Sequence, residues 1–311
     1  MKPFLPLLFV VLVGGGQVAG AQTWKPAPGY RQIPIWPGTP PDSKPMEGPE
    51  VNELWKGTNI RGRVVNVSKP TLTIYPAKGK NTGVTMVVFP GGGYQMLAMD
   101  LEGSEICDYF AARGITCVLL KYRVPDSGPT FNPKLKRGIN PKPPMALEDA
   151  QRTIGLLRQH AKEWHIDPYK IGVIGFSAGG HLVASISNHF DRRIYPAIDA
   201  ADKQSCRPDF AIALYPGHLW MDERKFELNR DITVTRKTPP TFIAQAEDDP
   251  VDSINHSLVY YIALKKAGVP VEMHLYAHGG HAFGLRPTKF PITRWPDLAM
   301  TWLHTIGILG Q

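Results

Sequence analysis

Cysteine is scarce in this chain: there are three in 311 residues, Cys107, Cys117 and Cys206. A chain of this length can bury a core without disulfide or metal staples. The odd count leaves at least one thiol unpaired in an exported protein. Cys107 falls in an apolar helical pattern and Cys117 in an apolar strand run, which suits small buried side chains better than a bridge. Beyond the first 21 residues no apolar stretch approaches the ~18 residues that a membrane-crossing helix takes, so no stable membrane association is expected. Lys and Arg outnumber Asp and Glu by 35 to 27, a net charge of +8, yet no block of five like charges occurs. Without such a block the surplus reads as a basic surface and predicts no nucleic-acid partner. Internal repeats and low-complexity tracts are absent too, which excludes solenoids and leaves one large domain as the simplest reading.

What is present begins with a leader. Residues 1–21 carry a short cationic start at Lys2, an apolar stretch at 4–13 and small residues ending Ala19-Gly20-Ala21. That is the layout of a secretory signal peptide with cleavage after Ala21, so the protein is expected to be secreted or periplasmic, and the mature part soluble. Residues 22–58 form a proline-rich arm: 22–49 alone hold eight prolines with Trp24, Tyr30 and Trp36, and little periodicity. The arm reads as extended chain laid over the domain that follows, residues 59–311.

In that domain short apolar runs alternate with helical patterns, the rhythm of an α/β fold with a mainly parallel sheet covered on both faces. Strands are predicted at 72–75, 84–89, 116–122, 171–176, 210–215, 241–246 and 271–276. The clearest helix is 146–164, whose apolar stripe contains Leu147, Ala150, Ile154, Leu157, Ala161 and Trp164. Its Glu148, Arg152, Gln159 and Lys162 are expected to face water. Residues 125–144 hold six prolines and few apolar residues. So long a loop is expected to border a functional site.

The motif that carries chemistry is Gly175-Phe176-Ser177-Ala178-Gly179, set between the apolar run 171–174 and a helical pattern. Strand, sharp turn and helix make the context of a nucleophile elbow, with glycines either side so that the backbone can fold tightly and hold Ser177 Oγ at the sheet edge. A serine hydroxyl needs a base, and the base a carboxylate. After strand 241–246 comes Glu247-Asp248-Asp249-Pro250, and after strand 271–276 comes His278-Gly279-Gly280-His281. Asp249 is preferred because it directly precedes the redirecting proline, with Asp248 as alternative. His281 is preferred because it lies inside the glycine turn, with His278 as alternative. His181, four residues after the serine, is expected to pack on the first helical turn. Pro90-Gly91-Gly92-Gly93-Tyr94 follows strand 84–89, so the N–H groups of Gly92, Gly93 and Ala178 are the candidate oxyanion hole. Such a glycine run can also cradle phosphate, but no Lys-Ser/Thr follows it. The reading calls for no cofactor and no metal.

These motifs resemble the α/β-hydrolase esterases related to hormone-sensitive lipase, in particular secreted bacterial esterases similar to acetylxylan and feruloyl esterases. The likeness runs from Ile35-Trp36-Pro37-Gly38 through the glycine loop, Leu120-Lys121-Tyr122-Arg123-Val124-Pro125 and the elbow to the histidine turn. It implies an eight-stranded, mainly parallel sheet. Two departures stand out. Pro90 occupies the place of the usual histidine in His-Gly-Gly-Gly, so the orientation of that loop must come from elsewhere, and Gln245-Ala246 replaces the usual His-Gly before the acidic turn.

The expected activity is removal of short acyl groups, acetyl first, from a carbohydrate ester. The alternatives are a feruloyl-type esterase, an amidase or peptidase on the same fold, and a binding module that has lost activity. The partner expected is a small-molecule or polysaccharide ester. Tyr94, His218, Trp220 and Phe283 stand next to the motifs and are candidates to stack on a sugar or aromatic acyl group, each equally able to be packing.

Overall fold

Eight strands, seven of them supplied by the short apolar runs read in the sequence, form the central sheet of the computed structural model. It describes residues 23–58, 60–126, 142–220 and 225–310, together with the backbone of 131–132 and 137–138. The leader therefore lies outside the described residues, as does most of the 125–144 loop. The strands are β1 Gln32–Pro34, β2 Thr71–Tyr75, β3 Thr85–Phe89, β4 Thr116–Lys121, β5 Ile171–Phe176, β6 Ala211–Leu214, β7 Thr241–Ala246 and β8 Val271–Tyr276. Their order across the sheet is β1-β2-β4-β3-β5-β6-β7-β8. β2 runs antiparallel to both of its neighbours and every other pairing is parallel. Strands β3 to β7 are buried along their whole length. That explains why they read as continuous apolar runs without alternation.

The strand with no counterpart among the predicted runs is β1. It comes from the proline-rich arm and pairs through Ile33 with Leu72. Three residues ending in proline carry no period-2 signal, and proline is tolerated there because this is the sheet edge.

Helices α1 Glu105–Ala111, α2 Pro144–Gln159, α3 Ala178–Asn188, α4 Asn255–Lys266 and α5 Trp295–Thr305 complete the fold. Gln159 and Lys162 are exposed as expected, but Glu148 and Arg152 are buried, against the prediction. The arm returns over this face of α2. Arg123 bonds Glu148 and Asp149, Trp36 Nε1 donates to Asp149 at 2.7 Å, and Arg152 donates to Ile35 O at 2.9 Å while pairing with Asp199 and Asp202. A charged stripe thus became an interior network because chain distant in sequence covers it. The three cysteines are buried and unpaired.

One topological feature positions the site. From β3 the chain moves outward to β4, then returns to β5 on the other side of β3. The turns after β3 and β5 therefore leave the sheet in opposite directions, and a crevice opens at their carboxyl ends. The glycine loop and the serine elbow both start there.

Candidate active site

Ser177 stands between β5 and α3 with φ 53° and ψ −118°, a conformation that L residues rarely adopt. The flanking glycines are sterically required. A Cβ on Gly175 would lie 2.1 Å from Gly179 O, and one on Gly179 would lie 2.0 Å from Phe89 O. The strained turn is held by Ser177 N–H donating to Leu214 O at 3.1 Å and by Ser177 O accepting from His181 N and Gly217 N.

The candidate acid and base come from the turns after β7 and β8. His281 Nδ1 bonds Asp249 Oδ2 at 2.8 Å, and the Asp249 carboxylate is fully covered. Asp249 Oδ1 accepts the N–H groups of Val251 and Asp252, so the turn after β7 is built around it. Its neighbour Asp248 accepts from Gly279 N and Gly280 N at 2.9 and 2.7 Å and bonds His278. The two acids therefore divide the work: Asp248 shapes the glycine turn, and Asp249 holds the imidazole within it. The Gly280 N–H pulls the Asp248 pKa below the usual carboxylate value. Burial alone would lower the pKa of His281. The hydrogen bond that His281 donates to Asp249, with the charges of Asp249, Asp252 and Glu102, outweighs this and raises it.

The loop that lacks the usual histidine is oriented by groups far away in sequence. Glu102, fully buried, accepts from Gly91 N at 2.7 Å and from Tyr215 Oη at 2.9 Å, and Tyr122 Oη donates to Pro90 O at 2.5 Å. Burial raises the Glu102 pKa against the lowering effects of His281, Tyr215 and Gly91. Gly91 brings the loop alongside the nucleophile, since a Cβ there would lie 3.0 Å from Ser177 Cβ. Gly92 has φ +133°, and its O accepts from Gln95 N and Met96 N. Among the described residues the N–H groups of Gly92, Gly93 and Ala178 donate to no protein acceptor. The expected result for Gly92→Ala is a fall in kcat of about 100-fold or more, because the new Cβ would lie 2.1 Å from Met96 O and the loop must move. Steady-state kinetics on 4-nitrophenyl acetate, with circular dichroism to check folding, tests this.

Of the candidate stacking residues, Tyr94 and Phe283 take the packing alternative. Tyr94 is completely buried, with its hydroxyl on His181 Nδ1 at 2.7 Å, and Phe283 is covered by Tyr215 with ring centroids 4.4 Å apart. Neither offers an open face, because each fills the floor beneath a catalytic turn. His181 packs at the start of α3, as expected. His218 is half-buried between Tyr94 and His181, and burial pushes its pKa down to about 4. Trp220 is half-buried beside His256, whose Nδ1 accepts from the Leu219 and Trp220 N–H groups.

Three further groups complete the site, of which only Gln245 stands out in the sequence, as a departure from the usual His-Gly. Glu102 organises the glycine loop. Gln245 Nε2 donates to Asp252 O at 2.6 Å and so fastens the acidic turn. Asp252 accepts a hydrogen bond from Ser177 Oγ at 3.2 Å, and its Oδ2 lies 4.0 Å from His281 Nε2. Glu102 and Asp252 lie outside every motif read in the chain.

The comparisons agree with this architecture. A curated relative, the acetylxylan esterase of Xylanibacter ruminicola, is 29% identical over 226 residues, covering 65% of this chain and 42% of the relative. The endo-1,4-beta-xylanase B of Butyrivibrio fibrisolvens is 29% identical over 222 residues, covering 66% and 33%. The chain thus spans less than half the length of these two proteins. Among solved structures, the acetyl ester-xyloside bifunctional hydrolase from Caldicellulosiruptor lactoaceticus superposes with a TM-score of 0.69 at 30% identity, covering 90% of this chain and 97% of that one. An esterase from the Planctomycetes species Thermogutta terrifontis gives 0.61 at 25% identity, covering 79% and 93%. The pattern of the alpha/beta hydrolase fold family matches residues 86–285. With that match across the glycine loop, the elbow and the turns after β7 and β8, the chain belongs to the alpha/beta hydrolase family.

Proposed function

We propose that the protein is a serine carboxylic ester hydrolase that removes short acyl groups, acetyl first, from carbohydrate esters. The observation that carries the proposal is the strained Ser177 elbow facing a buried Asp249–His281 pair, 2.8 Å between oxygen and nitrogen, beside a loop of unpaired N–H groups. The hydroxyl of Ser177 turns about its Cα–Cβ bond from Asp252 towards His281. His281 Nε2 takes its proton as Oγ bonds to the ester carbon. The N–H groups of Gly92, Gly93 and Ala178 receive the oxyanion. His281 then protonates the departing alkoxide, leaving an acyl ester on Ser177. Water, activated by the same imidazole, repeats the sequence and restores the free hydroxyl. Asp249 keeps the Nδ1 proton in place and stabilises the imidazolium.

Two observations support acetyl on a sugar. The relatives named above include an acetylxylan esterase and an acetyl ester-xyloside hydrolase. The arm and residues 125–144 are rich in proline, and neither shows in its sequence an amphipathic helical stripe suited to burying a long chain, worth ~0.8 kcal/mol per methylene. The layout of residues 1–21 supports export to where plant polysaccharide is met. Acyl esters of two to twelve carbons provide the test: kcat/KM should peak at two to four carbons, with acetate released from acetylated xylo-oligosaccharides. A peak at eight or more carbons would show a lipase-like enzyme instead.

A further inference from the structure

Besides the acid on His281 Nδ1, the site holds a second carboxylate on the opposite side of the ring. Asp252 Oδ2 is 3.2 Å from Ser177 Oγ and 4.0 Å from His281 Nε2. Its backbone is locked, with its N–H on Asp249 Oδ1 at 3.0 Å and its carbonyl on Gln245 Nε2 at 2.6 Å. The side chain is 11% exposed, and among the described residues the Ser177 hydroxyl is the one group that donates a hydrogen bond to its carboxylate. Gly217 makes the room, since a Cβ there would lie 2.7 Å from Asp252 Oδ1. Burial raises the pKa of Asp252 to about 6, with His281 and Ser177 acting to lower it and Asp249 to raise it. The carboxylate is therefore ionised at neutral pH.

This group cannot be the acid of the triad, because Asp249 already holds Nδ1. Its place is the Nε2 side, where the departing alcohol oxygen must come to collect its proton. An ionised carboxylate there can only accept hydrogen bonds. Once Ser177 has become an acyl or tetrahedral centre, its hydroxyl no longer donates, and a buried charge is left wanting a donor. A hydroxyl on the carbon next to the one that bears the ester oxygen reaches that position, whereas an alkyl or fully acylated alcohol brings no donor. We infer that Asp252 is a specificity-determining residue that selects esters whose alcohol carries a free hydroxyl vicinal to the acyl group. This rests on the acyl-transfer reading of Ser177 and refines it from carbohydrate acetates in general to partially acetylated ones.

The test compares two substrate pairs that differ only in free hydroxyls: methyl 2-O-acetyl-β-xylopyranoside with its 2,3,4-triacetate, and glycerol 1-acetate with glycerol triacetate. Acetate release per ester group is measured for the wild type, Asp252→Asn and Asp252→Leu, with circular dichroism confirming folding. Wild type should favour the monoacetate of each pair. The mono-to-triacetate ratio of kcat/KM should fall about fivefold in Asp252→Asn, which keeps a neutral acceptor, and more than about tenfold in Asp252→Leu, which keeps none. If the leucine variant does not fold, the asparagine ratio decides. Ratios equal to wild type, or a uniform loss on all four substrates, overturn the inference. A glycerol ratio that depends on Asp252, with no release from either xyloside, leaves the inference standing and removes the carbohydrate reading.

Discussion

Ser177→Ala is expected to lower kcat on 4-nitrophenyl acetate by about 10⁴ to 10⁶ while the protein keeps its fold. The expectation follows from the position of the atom removed. Oγ stands on the strained turn between β5 and α3, beside the glycine loop, and hydrogen-bonds Asp252 Oδ2, which lies 4.0 Å from His281 Nε2. Alanine fits the same turn, because the close contacts are made by Gly175 and Gly179 and not by the serine side chain. The change leaves the Asp252 carboxylate without its donor, which costs about 1 to 3 kcal/mol in stability, a shift that thermal unfolding would register without loss of the native state. A variant retaining more than about a tenth of wild-type turnover is incompatible with Ser177 as nucleophile, since loss of a nucleophile does not leave a rate of that order.

The second large effect is expected at the base and its partner. His281→Ala should cost about 10⁴ or more in kcat, and Asp249→Ala somewhat less. The double variant should cost little more than the worse single one, because the 2.8 Å contact makes the pair one working unit. His278→Ala and Asp248→Ala should cost far less, since their bonds shape the turn without touching Ser177. Additive losses, or larger ones from His278 and Asp248, would assign the roles to the neighbours. The pH profile offers a further check. His281 accepts the serine proton only when neutral, and its pKa lies above the ordinary ~6.5 because its carboxylate partners outweigh burial. The acid limb of kcat/KM should therefore have its midpoint above that value, with activity lost as pH falls through it. In Asp249→Ala the residual activity should show this limb displaced to lower pH, because a negative charge favouring the imidazolium has gone.

Much of this site is visible in the chain because its parts obey local rules. The Gly175 to Gly179 motif is a local steric requirement: both glycines are needed by contacts within the elbow or with the strand end beside it. The Asp249 and His281 turns each follow a strand, and strands buried on both faces write themselves as apolar runs. Serine, acid and base could therefore be ordered along the sequence before their distances were known. The choice between Asp248 and Asp249 was harder to read. Both residues lie at the same strand end, and what separates them is which oxygen meets an imidazole thirty-two residues further on.

The arm and the aromatics show where local reading failed. Glu148 and Arg152 sit on the stripe of α2 that a helical wheel assigns to water, and they are buried because Ile35, Trp36 and Pro41 fold back over them. Tyr94 looked like a sugar platform from its place after the glycine loop. Its hydroxyl instead closes on His181, because the loop doubles back over the elbow helix.

From the amino-acid sequence alone came the α/β architecture, the order of the strands from β2 to β8 along the chain, the elbow, and the candidates for nucleophile, acid and base. Each of these depends on residues near one another in sequence, where periodicity and turn sterics act. Only the tertiary structure decided that Gln32–Pro34 completes the sheet, that Glu102 stands in for the missing histidine of the glycine loop, and that Asp252 faces the serine. Those features arise where segments far apart in the chain converge in a low-dielectric interior. There a carboxylate's effect is set by which donors surround it and how far water is excluded, and neither is written in its neighbours along the chain.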